Sequence, residues 1–321
     1  LDWVTLLVVA ACLIHTKWYK TAGVLAAYAG MARIFPMIFL FGLGAKTGFN
    51  VLGVMYDRLR RRETATTLNR DYINFFAAFA AGSLLMVLLS AWYDGGFQLW
   101  RSFFEKIAIH NADISTTRVG FKYIFLWSVT NKAQYFADHQ ITWRIYTGIA
   151  LLIAAFLMRR TDDYETIPMS FIPVFFLSAP TFYYYVMLVI PLFLFLPKAE
   201  YAARTLGVIA MFGISIAAYC IGFTMSHHFQ FFFICSCMLM GLCAYMAVCV
   251  LLPMRPVAVV SETGSSASVI ALLSKLKAAR RPRISLGFLG GLVAAILLCG
   301  IGLATALYLK DRLPAPFRST A

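Results

Sequence analysis

Charged residues are what this chain of 321 residues has least of: Asp, Glu, Lys and Arg together make up 13% of it, and only 14 residues are acidic. A soluble domain devotes about a quarter of its residues to charge, so a water-facing surface around the whole molecule is excluded. No separate soluble domain is evident, and 94–142 is the only long polar segment expected outside the membrane. The seven cysteines show neither zinc-like pairing with histidine nor a disulfide framework. They read as small core residues, as at Cys235, Cys237 and Cys243. A cleavable leader is not evident either, because His15, Lys17 and Lys20 follow the first apolar run instead of preceding it. The chain opens on Leu1, already inside that run, and the expectation is that further sequence precedes it.

What is abundant is apolar: 61% of the residues are hydrophobic. Mean hydropathy is +0.77, the balance of a polytopic membrane protein. The net charge of +14 does not point to nucleic acid, because the cations sit in short connections at Arg58 to Arg62, Arg159 and Arg160, and Lys275 to Arg283. That is the distribution expected of loops retained on the cytoplasmic side.

A bilayer crossing takes about 20 apolar residues, fewer where a helix is broken or enclosed. On that measure the expected spans are 1–15, 21–56 (broken), 72–93, 143–158, 166–180, 182–197, 205–226, 229–252 and 285–309. Three units follow: a transmembrane module over 1–252, a basic cytoplasmic linker over 253–284, and a C-terminal helix and tail over 285–321. With Arg58 to Arg62 inside, the segments 159–165, 198–204 and 253–284 are inside too, and 94–142 is extracytoplasmic. Thr16 to Lys20 holds two lysines, which puts both ends of the broken segment inside and its apex, near Arg33, toward the outer leaflet.

Arg33 interrupts the longest apolar run, three residues before Pro36. A lone guanidinium at bilayer depth costs several kcal/mol unless it meets a partner or a wet cavity, and proline breaks the helix beside it. Arg33 therefore reads either as a site residue at an outward cavity or as a side chain snorkelling to headgroups. In the outer loop, Trp100, Phe103, Phe104 and Ile107 fall at i, i+3, i+4 and i+7, which predicts an amphipathic helix lying in the interface. His110, Asn111, Asp113, Arg118 and Lys122 follow it. Imidazole, carboxylate and two cations at a cavity mouth suit a phosphorylated ligand and a proton transfer; the plain alternative is a solvated loop. Asp138 and His139 read as loop charges, and His227 and His228 as interfacial packing. Tyr183, Tyr184 and Tyr185 stand at a turn after Ser178 and Pro180. Successive helical residues turn by about 100°, so the three tyrosines cannot all face lipid.

The stretch AGVLAAYAGMARIFPMIFLFGLG resembles the segment of small-residue helix, basic residue and proline found in GT-C membrane glycosyltransferases. The likeness is greatest to glycosyltransferase family 87, whose members use polyprenol-phosphate mannose. Ser178, Pro180, Tyr183 to Tyr185 and Pro191 are similar in layout to a later family segment, with tyrosines where that family commonly has histidines. The resemblance covers about residues 1–200. It implies an all-α GT-C-like bundle with a broken helix pair and an extracytoplasmic interfacial helix, acting as an inverting sugar transferase. Arg33, Arg118, Lys122 and Tyr183 to Tyr185 would bind the donor, and His110 or Asp113 would take the acceptor proton. The implied partners are the bilayer, a polyprenyl-phosphate sugar, and a glycan, lipid or protein acceptor. No metal or other cofactor is implied, and the active site faces outward from a multi-pass protein of the inner or plasma membrane. In that family the base usually lies on a loop before the broken hairpin. Here it is supplied upstream, or by Asp94, Glu105 or Asp113, or the chain is not an enzyme. A lipid or small-molecule transporter and a non-catalytic scaffold are the competing classes.

Overall fold

The computed structural model describes residues 2–33, 35–60, 67–93, 95–112, 118–127, 129–181, 186–225 and 228–251, without the side chains of 107–112, Leu99, Thr224 and His228. The expected linker 253–284 and span 285–309 lie outside the described residues, as do Asp94, Asp113, Tyr183 to Tyr185 and His227.

The described chain is helical, with no strand among the described residues. Helix α1 (Asp2–His15) turns at Lys17 into α2 (Tyr19–Ala32). There the backbone extends through Arg33 (φ −152°, ψ 131°). Pro36 has no N–H to offer the carbonyl of Ala32, so the helix cannot run on. A 3-10 segment, Phe35–Leu40, then starts α3 (Phe41–Leu59). The expected interruption therefore falls between Ala32 and Phe35, with Arg33 exposed at its edge.

Helix α4 (Arg70–Tyr93) runs parallel to α2: Tyr19 faces Tyr72, Gly23 lies against Phe75 and Phe79, and Gly82 against Ala27. This seam works because Gly23, Ala27, Ala78 and Gly82 are small enough for the two backbones to meet, the usual basis of helix pairing where lipid removes the hydrophobic drive. The amphipathic helix is present as α5 (Gln98–Ala112). After it come α6 (Phe121–Phe125), α7 (Lys132–Asp138), α8 (Gln140–Met158), α9 (Thr166–Met169), α10 (Phe171–Leu177), α11 (Val189–Phe195), α12 (Ala202–Thr224) and α13 (His228–Leu251).

Among the described residues five stretches are long and apolar enough to cross a membrane: Phe35–Leu59, Arg70–Tyr93, Gln140–Met158, Ala202–Phe223 and Phe229–Leu251. Asp2–His15, Thr166–Leu177 and Val186–Lys198 are apolar but shorter. At 1.5 Å per residue the last two reach only about 20 Å each. They enter from one end of the bundle and turn back within it, instead of crossing as the expected spans 166–180 and 182–197.

That end gathers the turn after α1, the start of α4, the connection 159–165 and the segment after α11. His15 lies edge-on to Tyr164, Tyr19 and Tyr72 reach Asp163, and Lys198 reaches Asp162. These are the connections whose positive charge led to the expectation of a common side. We call it the basic end.

The expectation for 94–142 is corrected as well. Residues 94–142 are not one polar segment lying outside the bundle, because 118–127 enters it. Val119, Tyr123 and Leu126 are each at most 1% exposed and Lys122 is 7% exposed, with α6 packed between α10 and α13. The reason is apolar spacing: Val119, Tyr123 and Leu126 recur at i, i+4 and i+7 and need an apolar face to cover them.

Candidate functional site

Two expected site segments, distant in sequence, pair with each other at the end of the bundle opposite the basic end. Arg118 and Thr181 form an isolated antiparallel bridge, and Val119 donates its backbone N–H to the Pro180 carbonyl at 3.0 Å. Gly120 follows at φ +140°, a conformation that disfavours any side chain. A Cβ there would lie 2.8 Å from the Ser178 carbonyl oxygen. The Gly120 N–H donates to the Ser236 hydroxyl at 3.1 Å, and that hydroxyl donates to the Phe232 carbonyl at 2.7 Å. Ser236 lies eight residues into α13, about 12 Å along it. The turn 178–181 is therefore sunk below the end of α13. The sequence had placed it near the outer face of the membrane.

Lys122 lies in the first turn of α6, its ammonium 4.2 Å from the centre of the Phe136 ring. The negative face of an aromatic ring attracts a cation. Arg118 is half-buried. Tyr183 to Tyr185 lie outside the described residues. Arg33 lies about 21 Å along α2 from Tyr19, toward this same end. The 3-10 segment behind it packs on α10, whose last turn leads into Ser178. No described residue makes a hydrogen bond or ion pair with the Arg33 side chain.

The remaining expected residues are more dispersed. His110 falls in the last turn of α5, with its side chain outside the described set, and Asp113 lies outside it altogether. Glu105 pairs with Arg101 at 3.1 Å on the exposed face of α5. Asp138, the last residue of α7, accepts from Gln134 at 2.9 Å, and His139, which caps that helix, stacks on Tyr135 at 4.0 Å. Among the described residues no group of His, Cys, Asp and Glu has the make-up of a metal site.

The polar network at the basic end was missed in reading the sequence. Asp163 accepts hydrogen bonds from Tyr19 at 2.6 Å, Tyr72 at 2.9 Å and the Lys46 ammonium at 2.8 Å. Lys46 also donates to the Thr161 carbonyl. Burial disfavours the Asp163 carboxylate, but these donors and the Lys46 charge outweigh it and hold its pKa below the usual carboxylate value. Beside it, Glu165 receives Lys198 at 2.9 Å and Arg204 at 3.1 Å. The one signal in the chain was the acidic run Asp162, Asp163, Glu165 between two spans, which carries 3 of the 14 acidic residues.

Fold and site together define a helical, multi-pass membrane protein with a polar turn enclosed by half-length helices. Comparison with family models, with curated proteins and with solved structures gives no match to this chain.

Proposed function

We propose that the protein transfers a sugar from a polyprenyl-phosphate carrier to an extracytoplasmic acceptor, at the enclosed turn formed by 118–122 and 178–181. The observation that carries this reading is the backbone pairing of Arg118 to Gly120 with Ala179 to Thr181. It joins the segment that carries Arg118 and Lys122 to the turn that precedes the three tyrosines in sequence. In such a reaction an acceptor hydroxyl attacks the anomeric carbon, the bond from that carbon to the phosphate oxygen breaks, and the acceptor proton passes to a base. Negative charge grows on the leaving phosphate, so fixed cations lower the barrier most when they are held at that oxygen. Arg118, Lys122 and Arg33 fill that role, and the tyrosines offer faces for the sugar or the prenyl chain. His110, in the last turn of α5, and Asp113 are the candidate bases; Glu105 is already engaged with Arg101. The positive-inside rule turns this end outward.

The test is transfer of radiolabelled sugar from a panel of polyprenyl-phosphate donors in membranes holding the intact protein. Arg118→Ala and Arg33→Ala are each expected to cut transfer by about 100-fold or more, the usual effect of removing a group that stabilises transition-state charge. Unchanged transfer in both variants removes the cations from the mechanism. The half-length helices α9–α10 and α11, meeting at an internal turn, are also how transporters build a binding site. Folded protein that turns over no donor, yet carries a lipid phosphate across a vesicle membrane, would favour that second reading.

A further inference from the structure

At the basic end, away from the proposed transfer site, the turn between α1 and α2 and the first turn of α4 leave an open cavity of about 370 Å³. Its lining includes Lys17, Lys20, Thr21 and Asn74, one carboxylate, Asp71, and Trp18. Two ammonium groups against one carboxylate leave an excess of one positive charge. The hydroxyl of Thr21 and the amide of Asn74 add uncharged donors, whereas the Tyr19 hydroxyl is committed to Asp163. Trp18 is 64% exposed, as suits an indole at the boundary between hydrocarbon and water. The cavity opens where α2 and α4 begin, the level at which headgroups meet such helices.

Lys17 adds a second observation. It lies at φ 66°, in the left-handed region, where α1 closes through Lys17 N–H to Ile14 and Trp18 N–H to Leu13. Glycine is the ordinary residue for that position. The chain instead has a lysine there, and its ammonium is held 5.7 Å from the Tyr19 ring at the cavity.

We infer that this cavity binds the phosphodiester headgroup of an anionic membrane lipid, with Lys17 and Lys20 facing the phosphate and Thr21 and Asn74 hydrogen-bonding its oxygens. A single negative charge matches the excess positive charge of the cleft. The basic connections around it draw the same lipids to this face of the bilayer.

Native mass spectrometry of the detergent-solubilised full chain, titrated with phosphatidylglycerol, phosphatidylcholine or inorganic phosphate, tests this. Wild type is expected to retain phosphatidylglycerol in preference to phosphatidylcholine. Lys17→Gly and Lys20→Gln should each weaken that retention about fivefold, while Lys106→Gln on α5 leaves it unchanged. Because glycine suits the Lys17 backbone, Lys17→Gly should melt no lower than wild type, so its loss of lipid cannot come from unfolding. Asp71→Asn removes the cleft's carboxylate and should tighten binding by a similar factor. Equal retention of phosphatidylglycerol in folded Lys17→Gly and Lys20→Gln overturns the site. Binding of inorganic phosphate that both lysine variants abolish, with no preference between the lipids, overturns the lipid as its occupant.

Discussion

Glu165 and Arg204 form an ion pair of 3.1 Å with side chains only 1% and 2% exposed. Arg204 also donates to the Leu194 carbonyl at 3.0 Å, and Lys198 joins Glu165 at 2.9 Å. The pair thus ties both basic-end termini of the half-length helices to α12. Removing one partner strands a buried charge, so Glu165→Ala is expected to lower stability by about 3–5 kcal/mol. The double substitution Glu165→Leu with Arg204→Leu should cost less than either change alone, because it removes both desolvated charges. Thermal unfolding in detergent measures this, and a double variant less stable than either single variant would refute it.

Asp163 gives a pH dependence with a fixed sign. Its pKa is lower folded than unfolded, so the stability it supplies is fully present above the unfolded value of about 3.9 and is lost as pH falls through the lower, folded value. The melting temperature of the wild type should therefore hold through neutral pH and drop below about pH 4. Asp163→Asn should melt lower at neutral pH and lose part of that acid slope. An unchanged slope would mean that other carboxylates set it.

The α2–α4 seam separates two glycines that look alike in sequence. A Cβ at Gly23 would collide with the Phe75 carbonyl, whereas one at Gly48, on an open face of α3, meets nothing within 4 Å. Gly23→Ala should part the helices and cost about 1–3 kcal/mol. Gly48→Ala should be neutral or stabilising by up to about 1 kcal/mol, the helix propensity gain. Comparison of the two melting temperatures decides the matter.

Ser236 reaches the proposed transfer site only through the Gly120 N–H. Ser236→Ala leaves that N–H buried without its acceptor, at a cost of about 1–3 kcal/mol. Gly120→Ala forces a Cβ against the Ser178 carbonyl. Both variants are expected to lower sugar transfer while α2 and α4 stay packed, so the Tyr19 and Tyr72 environment read by fluorescence should not move. Transfer at the wild-type rate in Gly120→Ala would show that the pairing is not needed for the reaction.

Much of the helical layout was legible in the sequence. The break beside Arg33 comes from a proline three residues on, and the amphipathic α5 from the spacing of Trp100, Phe103 and Phe104; both are effects within one or two turns of chain. The segment 118–127 was misread because Arg118 and Lys122 gave it the look of an exposed loop, although Val119, Tyr123 and Leu126 already carried the spacing of a buried helical face.

Composition and periodicity determined by themselves that this chain is helical and made for a bilayer, and where its long apolar helices run, because solvent preference and backbone propensity act locally. Tertiary structure alone decided that Asp163 meets Tyr19 across 144 residues, that Arg118 pairs with Thr181, and that the helices around 166–198 turn back inside the bundle. Those outcomes depend on which apolar faces can cover one another and on which buried polar groups find a partner, and neither is written in any short stretch of chain.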